Sequence, residues 1–261
     1  MQFRRLFYCV VNMIVLYLYI MDKRESLMDL KKENKIRLVL LCAFALFSLS
    51  CAVWSFTQGS EGCGLAVATV GILLSPFALE KLLGVRFSLG FVIWGFLYAV
   101  GPMLGHTLKL YYMLSWWDGL LHFFGGIAFA VVGWILPRRM GVKCSRAFNA
   151  LFAVVFSMAI ALGWEFIEYA ADTFFGRDMQ SDAFINSITS FLLSPDLGKM
   201  GSIEHIDSVL INGTVELPGL IDTGIRDTMS DTLVETLGAI LVAAGLSIFG
   251  ESILFRENDN G

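Results

Sequence analysis

The chain has 261 residues, of which 56% are hydrophobic and only 16% charged, with a formal net charge of −4. A water-soluble domain of this length would carry about a quarter charged residues, so a soluble globular fold is excluded. The small net charge, with no basic face and no binding motif, excludes a nucleic-acid partner; the expected partner is a lipid bilayer.

Runs of about 20 apolar residues cross a bilayer as helices, because a helix satisfies its own backbone polar groups. The first run, residues 6–21, is marginal in length. It is followed by the polar stretch Asp22–Arg37, which includes Lys23, Arg24, Lys31, Lys32 and Lys35. MDLKKENKIR, beginning at Met28, reads as an ordinary cytoplasmic start. Residues 1–27 are therefore expected to be either an extra N-terminal helix or an artefact of start-site choice. Core spans follow near 36–56, 64–83, 89–108, 117–136, 147–171 and 227–249. The connection 173–224 is too long for a simple turn between neighbouring helices. Its FINSITSFLLSP portion suggests an interfacial or re-entrant helix, and KMGSIEHIDSVLINGTVELPG suggests turns with short extended pieces. This loop is either a lid or a surface loop with no role. The expected fold is all-α: a polytopic transmembrane helical bundle over residues 28–250, with six core helices and a tail at 251–261.

Five cysteines (Cys9, Cys42, Cys51, Cys63 and Cys144) show no metal-type or CxxC spacing. They read as small hydrophobes.

Basic residues of short loops set orientation. Lys31–Arg37, then Lys81 and Arg86, then Arg138, Arg139, Lys143 and Arg146, then Arg256 fall on one side, expected to be cytoplasmic together with the C-terminus. The other side has TQGSEGC, the Lys109 loop and the acidic 173–224 segment. A spanning first helix would leave Arg4 and Arg5 outside, against that bias.

Three core spans then carry acids at one, outer, end. Asp118 and His122 are i, i+4; Glu165, Glu168 and Asp172 are i, i+3, i+7; Asp227, Asp231 and Glu235 are i, i+4, i+8. Such spacing puts each set on one helix face. A carboxylate at membrane depth costs roughly 2.5–3.5 kcal/mol, so these faces point into the bundle. Carboxylates crowded together need shared protons, basic partners or a metal. Near cations are few: His122, Arg177 and Arg226 are close by sequence, and His106 could approach from the outer end of the third core span. A divalent ion such as zinc, magnesium or manganese is the expected cofactor, with His122, Glu165, Asp227 and Asp231 as ligands. Asp172 equally suits a place in the interfacial loop, and Asp227 equally suits capping of the last helix. Trp116 and Trp117 read as an interfacial anchor, and Gly125–Gly126 and Gly101–Gly105 as close-packing sites.

WWDGLLHFFGG, GWEFIEYAADTFFGRDMQ and GLIDTGIRDTMSDTLVETLGA together resemble the YjdF-like family of bacterial membrane-spanning proteins. The matching positions are Asp118, His122, Gly125, Gly126, Trp164, Glu165, Glu168, Asp227, Asp231, Gly238 and Ala239. The resemblance covers about residues 36–250 and implies a bacterial plasma-membrane protein without an established activity. A weaker similarity links the Asp-x-x-x-His-Phe and late Asp-x-x-x-Asp elements to VanZ-like proteins; their Glu-x-x-Gln is replaced here by Glu165 and Glu168.

Three functions fit these residues. The first is a metal-dependent hydrolase or transferase on a lipid-linked small molecule, with Asp118 or Glu168 as general base and Arg177 or Arg226 on a lipid phosphate. The second is a proton- or cation-coupled transporter, disfavoured because AVVFSMAIAL and LVAAGLSIF, deeper in the spans, are apolar. The third is a structural or sensory protein whose acids staple helices.

Overall fold

A computed structural model describes residues 30–57 and 62–250; the expectations for residues 1–27 and for the tail lie outside them. Eight α-helices are formed: α1 (Leu30–Thr57), α2 (Gly62–Ile72), α3 (Ser75–Leu83), α4 (Leu89–Thr107), α5 (Leu110–Met113), α6 (Trp117–Arg139), α7 (Arg146–Phe175) and α8 (Ile225–Phe249). Among the described residues, six helical segments are long and apolar enough to cross a membrane: Lys32–Thr57, Gly64–Leu83, Leu89–Thr107, Trp117–Arg139, Arg146–Phe175 and Ile225–Phe249. The protein is a polytopic helical membrane protein. Large apolar side chains on the outer faces, such as Phe56 at 75% and Leu82 at 79% exposure, suit contact with lipid rather than water.

The second span is interrupted. The sequence reads as one helix over 64–83, but α2 stops at Ile72 and α3 restarts at Ser75 with Pro76 in its first turn. Proline lacks an N–H donor and its ring clashes with the carbonyl four residues earlier, here Ile72. Gly95 lies against the same ring; a Cβ there would come within 3.3 Å of Pro76 Cγ.

The chain divides into two compact units, residues 1–158 with 235–261, and residues 159–234. In the first, α1 packs on α2 and α4, and α4 packs on α6. Its core includes Leu73, Phe87, Val92, Phe96, Met103, Val131, Trp134 and Ala153. An ion cluster closes one end. Arg37, 2% exposed, pairs with Glu33 (2.6 Å) and Glu80 (2.8 Å) and donates to the Phe87 carbonyl. Arg86 reaches Glu33 (3.2 Å) and Asn34 (2.6 Å). Arg37 and Arg86, counted from sequence as loop cations, thus fasten the foot of α1 to α3 and the turn into α4. The helix extends back at least to Leu30, ahead of the apolar run.

The second unit holds the later part of α7, the 176–224 connection and the first turns of α8. Six three-residue strands form antiparallel pairs: β1 (Ala183–Ile185) with β6 (Leu220–Asp222), β2 (Ile188–Ser190) with β3 (Gly201–Ile203), and β4 (Val209–Ile211) with β5 (Val215–Leu217). Asn212 (φ 52°) and Gly213 (φ 71°) both take left-handed backbone between β4 and β5, the requirement of a type I′ hairpin turn. The extended pieces read from KMGSIEHIDSVLINGTVELPG are present. FINSITSFLLSP is not an α-helix; it forms strand and a single 3-10 turn, Phe191–Leu193. Ile185, Ile188 and Thr189 are β-branched and suit strands. Ser190 Oγ accepts from Leu192 N–H at 3.1 Å, starting a turn that Pro195 cannot prolong into a helix.

Candidate functional site

In the first unit, Asp118 lies in the first turn of α6 and His122 one turn deeper. His122 is 8% exposed. Its Nδ1 lies 3.4 Å from Glu235 Oε2, and its Nε2 lies 3.9 Å from Asp118 Oδ1. The other Glu235 oxygen lies 3.4 Å from Ser157 Oγ, which also reaches the Gly126 carbonyl at 3.2 Å. An imidazole gripped at Nδ1 by a buried carboxylate has its ring orientation set and its Nε2 turned the other way, here toward Asp118.

Glycine makes this approach feasible. A Cβ on Gly126 would overlap the Glu235 carbonyl oxygen, and one on Gly238 would overlap the Phe123 carbonyl oxygen. With hydrogen in both places, the backbones of α6 and the inner part of α8 touch directly, which sets Glu235 beside His122. Gly125 leaves room for Tyr98 and Glu235; its missing Cβ would stand 3.0 Å from the Tyr98 hydroxyl and 3.8 Å from the Glu235 carboxyl carbon. Gly101 similarly admits Leu121 against α4.

Sequence reasoning did not single out Ser157 or Tyr98. Ser157 is the one hydroxyl in AVVFSMAIAL, a stretch whose hydropathy masks it; Tyr98 sits among aromatic residues that read as lipid-facing or core.

In the second unit, Glu165 and Glu168 lie on α7 and are 2% and 7% exposed. Glu168 Oε1 accepts from Trp164 Nε1–H at 2.7 Å. Neither oxygen of Glu165 has a hydrogen-bond partner among the described residues. A buried carboxylate so placed calls for a proton or a cation. Asp231, 3% exposed, lies on α8 one turn before Glu235.

The outer acids are occupied by the backbone. Asp172 accepts from Met179 and Gln180 N–H (2.7 and 2.8 Å), folding the chain back at the end of α7. Asp227 Oδ2 accepts from Ser181 N–H at 2.8 Å. Asp222, not singled out from sequence, accepts from Ile225 N–H at 3.0 Å at the start of α8 and lies 3.5 Å from Arg226 Nε. Arg177 and Arg226 both have exposed side chains. Asp182, in the same loop, has its carboxyl pushed up by desolvation and then by the neighbouring charges of Asp178, Asp172 and Asp222.

Asp118 and His122, on α6 in the first unit, are donors of the kind that hold a metal ion, and by residue type so is Asp231 on α8. Of the expected ligands, His122 stands beside Asp118, expected as a base, in the first unit, while Glu165, Asp227 and Asp231 lie in the second. No curated protein and no solved structure matches the chain. Residues 36–252 match the family described as "Predicted membrane protein (DUF2238)", and the chain belongs to that family.

Proposed function

We propose that this protein carries a divalent-metal site, for zinc, magnesium or manganese, and uses it for hydrolysis or group transfer on a lipid-linked substrate. The observation that carries the reading is buried His122, held between Asp118 at 3.9 Å and Glu235 at 3.4 Å. Helix periodicity supports it. Asp231 precedes Glu235 by one turn on an unbroken helix, as Asp118 precedes His122. Glu165, buried and without a hydrogen-bond partner among the described residues, is a carboxylate available as a further donor. Carboxylates with one imidazole suit these hard or borderline ions.

A divalent ion there would polarise a phosphoryl or acyl oxygen and lower the pKa of a bound water. Glu168 is then the general base, oriented by Trp164, while Asp118 serves as a ligand. Arg177 and Arg226, exposed at the mouth of the 176–224 connection, suit a lipid phosphate. The basic loop Arg138–Arg146 favours a cytoplasmic C-terminus, which puts these acids at the outer surface of a bacterial plasma membrane. The family match, over nearly the same residues, supports the YjdF-like resemblance.

The test is metal content by mass spectrometry of detergent-purified protein after exposure to each of the three ions. Wild type should retain about one equivalent. His122→Ala and Asp231→Asn should lose it, while Glu235→Gln should keep its fold and bind about 10–100-fold more weakly. No retained metal in wild type, or equal retention in all four proteins, would overturn the reading and leave the acids as helix staples.

A further inference from the structure

At the far end of α6 from Asp118, a second polar feature has no place in that chemistry. A cavity of about 440 Å³ opens where α6 ends, α7 begins and α8 ends; its walls include Trp134, Arg138, Lys143, Arg146, Asn149 and Leu246. All lie in the first unit. The volume falls within the roughly 300–1,000 Å³ typical of ligand cavities.

The charge is one-sided. Among the described residues that line it, three are cationic and none is acidic. Lys143 and Arg146 form no ion pair among the described residues, whereas Arg37 and Arg86, the basic pair elsewhere in this unit, are matched by Glu33 and Glu80. The base of the cavity is closed by Trp134, Asn149 and Leu246, at 2%, 7% and 4% exposure. Buried Asn149 takes a hydrogen bond on Oδ1 from Cys144 Sγ at 2.7 Å, which leaves its amide N–H₂ as donor. Arg146 opens the 30-residue α7, whose first turn is capped by Ser145 Oγ accepting from Phe148 N–H at 3.2 Å. The N-terminal end of that helix dipole adds to the positive field. Guanidinium forks, an ammonium and an amide donor around one concavity are the complement of a tetrahedral oxyanion.

We propose that this cavity binds a phosphate-bearing anion, either a phospholipid headgroup or a soluble phosphate. Basic pockets between membrane helices at interfacial depth are suited to headgroups, while the open mouth also admits free phosphate.

The experiment measures thermal unfolding and binding of the full chain with two probes. One is inorganic phosphate added to detergent-purified protein, against sodium chloride at equal ionic strength. The other is phosphatidylglycerol in phosphatidylcholine nanodiscs, against phosphatidylcholine alone. Wild type and Arg139→Gln, whose side chain lies outside the cavity walls, should be stabilised. Lys143→Gln/Arg146→Gln should bind at least about tenfold more weakly; Arg146→Gln alone serves if the double variant does not fold. A response to both probes identifies a general phosphate site, and a response to phosphatidylglycerol alone identifies a headgroup site. No response in wild type, or the same response in the cavity variants, overturns the proposal.

Discussion

Glu165 and Glu235 are both carboxylates buried on helix faces, yet their surroundings are opposite. Glu235 has one oxygen 3.4 Å from an imidazole nitrogen and the other 3.4 Å from a serine hydroxyl. Glu165 has neither of its oxygens in a hydrogen bond among the described residues. Hydropathy and spacing cannot separate these two, because both look like an acid in an apolar helix. What distinguishes Glu235 is the pair Gly126 and Gly238, which lets two backbones touch. Gly126→Ala should therefore cost about 1–3 kcal/mol, since its Cβ would meet rigid backbone rather than a movable side chain. Gly163→Ala, with nothing within 4 Å of its Cβ, should instead stabilise by up to about 1 kcal/mol through helix propensity. Chemical unfolding in detergent checks both; equal shifts in the same direction would refute the packing role assigned to Gly126.

At the scale of elements, the 176–224 connection shows how acids act as structure. Asp172, Asp222 and Asp227 each accept backbone N–H groups that neither helix nor strand pairing satisfies. Asp182 in the same loop has its folded carboxyl pKa raised by desolvation first and then by the charges of Asp178, Asp172 and Asp222. A raised carboxyl pKa means the folded loop holds its proton longer than the unfolded chain does. Stability contributed by this group is then highest below the ordinary aspartate range and falls as pH rises through the raised value. Asp182→Asn should make the loop more protease-resistant than wild type at neutral pH, with the difference vanishing under acid conditions. Limited proteolysis across pH reads this directly; a gain in resistance that is largest in acid would contradict it. The strands of this loop were legible as extended pieces around the Asn212–Gly213 turn. The segment read as an interfacial helix was misjudged because an apolar run of this length fits either a strand or a helix, and its β-branched residues settled the matter locally.

For the whole molecule, the distribution of charge sorts into pairs that hold helices and groups that remain to meet something else. The Glu33–Arg37–Glu80–Arg86 cluster is of the first kind. Removing Arg37 would leave Glu80 without its cation and buried Glu33 with Arg86 alone at 3.2 Å, so Arg37→Ala should cost about 3–5 kcal/mol in thermal or chemical unfolding. Arg226→Ala, at an exposed pair with Asp222, should cost no more than about 1 kcal/mol. Similar losses from the two would mean that Arg37 is not buried as described.

The six apolar spans among the described residues, the helical class and the shared face of each polar set follow from sequence, because apolar length and the 3.6-residue period are local quantities that a single chain segment expresses by itself. Asp118 and His122, first legible as i, i+4 neighbours, needed no fold to be paired on one helix. Which acid stands behind His122 could not be read that way. Glu235 is 113 residues distant, and it reaches the imidazole only because glycine-to-backbone contact sets how closely α6 and α8 approach. Long-range closeness of that kind depends on the absence of atoms at the contact, and hydropathy carries no record of it. For the same reason Ser157 looked apolar by context, Arg37 looked like a loop cation, and the basic cavity of Arg138, Lys143 and Arg146 looked only like a sign of orientation.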